Sequence, residues 1–169
     1  ANLLAGVGWT IGHEISHGFD YTGSQIDAYG QPNPVFTDAD VDAFVMKCST
    51  LAMYYNTIEI MPGQTVDGQL VVGEAAADLA GMQACLELAS QIDGFDYNEY
   101  FESVSNVWAQ VITSDYLPQL LLDTHPLNNL RVNVNAQMYD AMYDTLGVAE
   151  GDGMYLAPEE RIVIWGPNA

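Results

Sequence analysis

Apolar positions along the chain recur mostly at three- and four-residue intervals, and two-residue alternation is scarce, which predicts a mainly α protein with little strand. Leu3 to His17 reads as one helix whose Gly6, Gly8 and Gly12 permit close approach of a neighbour while lowering intrinsic helix propensity. Gly18 to Pro34 holds Gly23, Gly30, Pro32 and Pro34 and reads as a loop. Thr37 then stands as an N-cap, with Asp38 and Asp40 in the first turn of a helix running to about Asn56. The Asp38-x-Asp40-x-Asp42 alternation lacks the glycine and terminal glutamate of a calcium loop, so capping is the preferred reading. Pro62 to Gly68 is a turn-rich connection, and Leu70 to about Ala89 forms a second long helix. Asp96 to Ser114 and Asn135 to Leu146 read as further helices. Pro118 and Pro126 bracket a short helical turn leading into a loop. The tail from Gly151 to Ala169 carries Pro158, Pro167 and an apolar Ile162-Val163-Ile164-Trp165.

Length and composition add limits. The 169 residues amount to one domain, 1–169, with enough apolar content for a sizeable core. Asp and Glu number 23 against Lys47, Arg131 and Arg161, a net charge of −20, which argues against binding nucleic acid or an anionic membrane. In so acidic a chain, Arg131 is expected to be paired or to hold something. No stretch reaches the ~20 apolar residues of a membrane span, and Ala1 to Ile11 lacks the charged start of a signal peptide. Any targeting segment is therefore expected upstream of residue 1. The expected location is extracytoplasmic or secreted, with the cytoplasm as the alternative. Cys48 and Cys85 are too few for a disulfide framework, and two buried free thiols are the expected state.

The chemistry lies in His13-Glu14-Ile15-Ser16-His17 and, on the second long helix, Glu74. Two histidines at i and i+4 share one helix face and can share one tetrahedral ion. Glu74 supplies a third ligand and leaves the fourth position to water, the open coordination of a catalytic zinc, one Zn²⁺ per chain. Glu14 follows the first ligand directly and reaches the attacking water as a general base. Asp78 lies four residues after Glu74, hence on the same face. The arrangement points to peptide hydrolysis, with peptides as substrate.

Three stretches extend this picture. Val7 to Asp20, Val66 to Gly81, and Asp123-Thr124-His125-Pro126 with Arg131-Val132 resemble, in order, the C-terminal part of the catalytic domain in the neprilysin and endothelin-converting-enzyme family of zinc metallopeptidases. The closing Met154-Tyr155 to Trp165 is similar to the family's tail. The resemblance implies a zincin-like fold, with His13, His17 and Glu74 as zinc ligands and Glu14 as the base. It implies that Asp78 orients a ligand histidine, foremost His13, and that His125 stabilises the oxyanion. Arg131 matches an arginine that anchors the site and contacts substrate carbonyls. Trp108 and Val132 match positions lining an apolar pocket for the residue after the scissile bond; for Trp108, plain core packing stands beside that role.

There are departures. Ala75 and Ala76 replace an Asn-Ile pair, with the expected loss of a hydrogen bond on the helix surface. Trp9 and Thr10 stand where the family carries aliphatic residues, and the family's cysteine near the final tryptophan is missing from Ile162 to Trp165. The family's upstream Asn-Ala-Tyr/Phe segment, which binds the peptide backbone, has no counterpart before Leu3, nor has its large helical domain. The expectation is a zinc endopeptidase fragment that needs an upstream segment of the same protein. A non-catalytic zinc-binding or interaction domain derived from a peptidase is the alternative.

Overall fold

A computed structural model describes residues 1–166; the end of the tail, Pro167 to Ala169, lies outside the described residues. A π-helical segment, Leu4–Gly8, runs into α1 (Trp9–Ser16) and closes in a 3₁₀ turn, His17–Phe19. After a loop come α2 (Asp38–Asn56), β1 (Glu59–Met61), β2 (Gln64–Thr65) and α3 (Gly68–Ala89). The chain ends through α4 (Tyr97–Val107), α5 (Leu117–Leu120), α6 (Asn128–Gln137) and α7 (Asp140–Leu146). The fold is mainly α, and its described sheet is the antiparallel β1–β2 hairpin, with Glu59 opposite Thr65.

The second long helix, α3, is the axis of the molecule. Its start is fixed by Asp67, whose side chain accepts from the N–H groups of Gln69 and Leu70. Its middle is buried almost all round, from Ala75 to Leu79 without a break. On one side α2, α6 and the tail pack Leu51, Tyr55, Val134 and Ile164 against Val71, Ala75 and Leu79. On the other, Ala5 and Trp9 join Tyr100, Val104 and Met142 against Met82, Cys85 and Leu86. Trp165 closes the first cluster by donating its indole N–H to the Ala76 carbonyl at 2.8 Å.

Helices α1 and α3 meet where both carry glycine. A Cβ on Gly12 would lie 3.0 Å from Gly81 Cα, and a Cβ on Gly81 would run into the Trp9 ring and its carbonyl oxygen. This close approach brings the histidines of α1 over Glu74. The other face of the continuous helical run that ends in α1 is open: Leu3, Val7, Ile11 and Ile15, four residues apart, are each more than half exposed.

Several expectations need correction. The fourth helix stops at Val107 rather than Ser114. Trp108 leaves it at φ −97°, ψ 2°, and the β-branched Val111, Ile112 and Thr113 beyond are poor helix formers. The expected helix from Asn135 to Leu146 is two helices, because Tyr139 is extended and sends its hydroxyl to the Leu79 carbonyl at 2.7 Å. The first of the two begins earlier, at Asn128, where its Leu130 and Val134 pack on α3. Ala75 and Ala76 lie in the core, not on a helix surface. Cys85 is buried as expected, whereas Cys48 is only half-buried; both thiols are free. Thr37 does cap α2, in a reciprocal capping box with Asp40. Among the described residues, no helix is long and apolar enough to cross a membrane.

Gly81→Ala should force α1 and α3 apart and cost about 1–3 kcal/mol in unfolding experiments. Gly73→Ala, on the same helix with open space around it, should gain up to about 1 kcal/mol. Equal stability of Gly81→Ala and wild type would show that the glycine contact does not set the helix separation.

Candidate metal centre

One helix face and one facing side chain build the centre. His17, first residue of the 3₁₀ turn, follows His13 of α1 by four positions, and their Nε2 atoms come within 3.1 Å of each other. Glu74, the seventh residue of α3, turns Oε2 to 3.2 Å from His13 Nε2 and 3.5 Å from His17 Nε2. Among the described residues these three form the group whose ligand atoms all lie within 4.8 Å of one another.

The other ring nitrogens explain what this triangle needs. His13 Nδ1 lies 2.8 Å from Asp78 Oδ1, and His17 Nδ1 lies 2.9 Å from Asp20 Oδ2. Asp20 hydrogen-bonds His17 Nδ1, and the Asp78 charge lies beside His13 Nδ1 without hydrogen-bond alignment; both favour the tautomer with the proton on Nδ1 and the Nε2 lone pair facing inward. Glu74 Oε2 is buried with no aligned hydrogen-bond donor. With both imidazole protons on Nδ1, three acceptors converge without a donor between them, an arrangement that a cation relieves. Tetrahedral zinc with nitrogen and oxygen ligands at ~2.0–2.2 Å separates neighbouring donors by about 3.3–3.6 Å, close to the observed edges. Donor chemistry and spacing both fit zinc.

Asp78, read from sequence as a partner of His13, is fully buried. Burial works to lower the pKa of His13, and the Asp78 carboxylate and its charge outweigh that, leaving the imidazole more basic than usual. Asp78 is gripped from its far side by Arg131, whose Nε and Nη2 donate to its two oxygens at 2.8 and 2.6 Å. The Arg131 guanidinium stacks 3.9 Å from the centre of the Trp108 ring. Arg131 is thus paired, as its rarity suggested.

His125 comes from the loop between α5 and α6. Its Nδ1 lies 2.7 Å from Asp123 Oδ1 and its Nε2 3.2 Å from Glu74 Oε2. The N–H and ring of His125 hold the Asp123 carboxyl below its usual range. Glu14 is exposed and shares a cavity of about 100 Å³ with His13, His125 and Arg131. Trp108 walls both that cavity and a larger one of about 560 Å³, whose sides include Ile60, Leu117, Leu127 and Val132. All the expected site residues therefore gather in one region.

Sequence reasoning gave no role to Trp9, Asp20 or Asp123. Trp9 is buried, donates its N–H to the Asp78 carbonyl at 2.9 Å and meets Trp108 edge-on at 5.5 Å. The two aspartates carried a signal in their spacing, three residues after His17 and two before His125.

Known proteins match this arrangement in both sequence and structure. A neutral endopeptidase of Lactobacillus helveticus is 36% identical over 161 residues, covering 95% of this chain and 25% of the relative. Endothelin-converting enzyme 1 of Rattus norvegicus is 29% identical over 143 residues, covering 76% of this chain and 19% of the relative. The solved zinc metalloprotease Zmp1 of Mycobacterium tuberculosis, in complex with an inhibitor, superposes with a TM-score of 0.85 at 28% identity. That match covers 98% of this chain and 28% of the other. The chain thus spans about a quarter of the length of the curated relatives it matches. The family model for peptidase family M13 matches residues 1–162, taking in α1, α3 and every residue of the centre, and the chain belongs to that family.

Proposed function

We propose that this chain carries the metal-binding part of a zinc endopeptidase that hydrolyses oligopeptides. The observation that carries the reading is the inward-facing triangle of His13, His17 and Glu74, three acceptors with no donor among them. A bound zinc supplies Lewis acidity, lowering the pKa of a water and polarising the scissile carbonyl. Glu14 takes a proton as the water oxygen adds to the carbonyl carbon, and passes it to the amine nitrogen as the C–N bond breaks. His125, its Nδ1–H held by Asp123, stabilises the oxyanion by donating a hydrogen bond from a second proton, the one on Nε2. Arg131 spends Nε and Nη2 on Asp78, which leaves Nη1 for a substrate carbonyl. Asp78 keeps His13 in the tautomer that presents Nε2. The apolar walls of the larger cavity, Trp108 and Val132 among them, favour a hydrophobic residue after the scissile bond. A metal-binding role without catalysis would leave Glu14 and His125 without a purpose.

The relatives are about four times longer than this chain, and Leu3, Val7, Ile11 and Ile15 form an apolar stripe on the back of the metal-binding helix. We infer that an upstream part of the same protein covers that stripe and holds the peptide backbone.

Purified under metal-replete conditions, the protein should hold one zinc per chain by elemental analysis. Glu74→Ala should weaken that binding, while Glu14→Gln should keep the metal and abolish peptide cleavage. Near-normal turnover by Glu14→Gln would remove Glu14 as the base. His125→Ala should lower kcat ~10²–10³-fold at unchanged zinc content; joint loss of metal and activity would make His125 a ligand instead. Residues 1–169 alone should be weak or inactive on short peptides and regain activity when an upstream portion is supplied, since positioning is worth several kcal/mol. Cleavage by the isolated chain at full-enzyme rates would refute the need for that portion.

A further inference from the structure

The two ligand histidines are supported unequally. His13 and Asp78 are buried together, with side chains 7% and 1% exposed, whereas His17 and Asp20 are 29% and 21% exposed. The second pair cannot rely on a packed interior to hold its geometry. It relies on a short chain reversal. After the 3₁₀ turn, Asp20 is extended (φ −73°, ψ −179°) and its Oδ1 accepts from the N–H groups of Thr22 and Gly23, both at 2.8 Å. Its carbonyl accepts from Ser24 N–H at 2.9 Å. Gly23 is pressed against the His17 carbonyl, and a Cβ there would clash with that oxygen and lie 2.9 Å from Gly18 Cα. The remaining oxygen, Oδ2, is the one turned to His17 Nδ1.

We infer that Asp20 is a positioning residue of the metal centre, one oxygen folding the 20–24 segment and the other fixing the His17 tautomer. The inference rests on the zinc reading given above. With its proton held on Nδ1, His17 points the Nε2 lone pair at Glu74 and His13. Without Asp20 nothing seen around His17 Nδ1 favours that tautomer, and an imidazole protonated on Nε2 cannot ligate through it. Loss of such an outer partner lowers metal affinity by roughly 10–100-fold.

Asp20→Asn separates the two duties. The amide oxygen can keep the Thr22 and Gly23 N–H groups, while the amide N–H now faces His17 Nδ1 and drives its proton to Nε2. In the metal-free protein, imidazole ¹⁵N spectra should show His17 protonated on Nδ1 in wild type and on Nε2 in Asp20→Asn. Competition with a chromophoric chelator should show zinc affinity falling roughly 10–100-fold, with thermal unfolding of the metal-free protein unchanged. Wild-type affinity and tautomer in Asp20→Asn would overturn the proposal, and Glu74→Ala losing zinc in the same series would leave the metal centre standing. Weaker zinc binding with a destabilised metal-free fold and an unaltered tautomer would assign Asp20 to the loop alone, again overturning it. If wild type binds no zinc, the metal reading fails, and this inference fails with it.

Discussion

A carboxylate in the middle of the protein sets the terms for everything around it. Asp78 has no access to water, so its two oxygens must be satisfied by protein groups brought from elsewhere. Arg131 arrives from α6 as a two-pronged donor, His13 arrives from α1, and the Trp9 indole takes the Asp78 carbonyl. Two helices, α1 through two side chains and α6 through one, are thereby tied to α3 at one level. Removing the arginine would strand the charge, a loss of about 3–5 kcal/mol for a buried pair of this kind. The ion pair is also why the site is ordered: the group that orients His13 is itself immobilised.

The division of labour among carboxylates follows from burial. Every histidine in this protein turns Nδ1 to an aspartate, Asp78, Asp20 or Asp123. The first aspartate lies in the core and is held by a counter-charge. The other two lie nearer solvent and are held by backbone N–H groups, Thr22 and Gly23 for Asp20 and His125 for Asp123. Short loops thus do for the exposed imidazoles what the ion pair does for the buried one.

Much of this was legible in the sequence, and the reasons differ from part to part. The i, i+4 histidines and the Ala-rich α3 are local signals, so the candidate ligands and the two helical segments that carry them could be read directly. Thr37 announced a helix start because capping is a matter of a few neighbouring residues. The end of α4 and the break at Tyr139 were not legible, since each is set by a distant partner: Trp108 leaves its helix to stack on Arg131, and Tyr139 to reach the Leu79 carbonyl. The fate of Ala75 and Ala76 was misread for the same reason. Burial of α3 on all sides depends on elements distant in sequence, α1 and α2 before it and α6 and the tail after it. The grip of Arg131 on Asp78, 53 residues apart, likewise has no local trace.

The edge-on meeting of Trp9 and Trp108 has an optical consequence. Of the three tryptophans, these two touch each other beside the His13–His17–Glu74 cluster, and one also lies over a guanidinium, while Trp165 sits against Phe44 on the far side of α3. Near-ultraviolet circular dichroism from such a coupled indole pair is strong and depends on the angle between the rings, here 71°. The protein therefore carries its own chromophore at the place where ligands would bind, and a spectral reference on the opposite side.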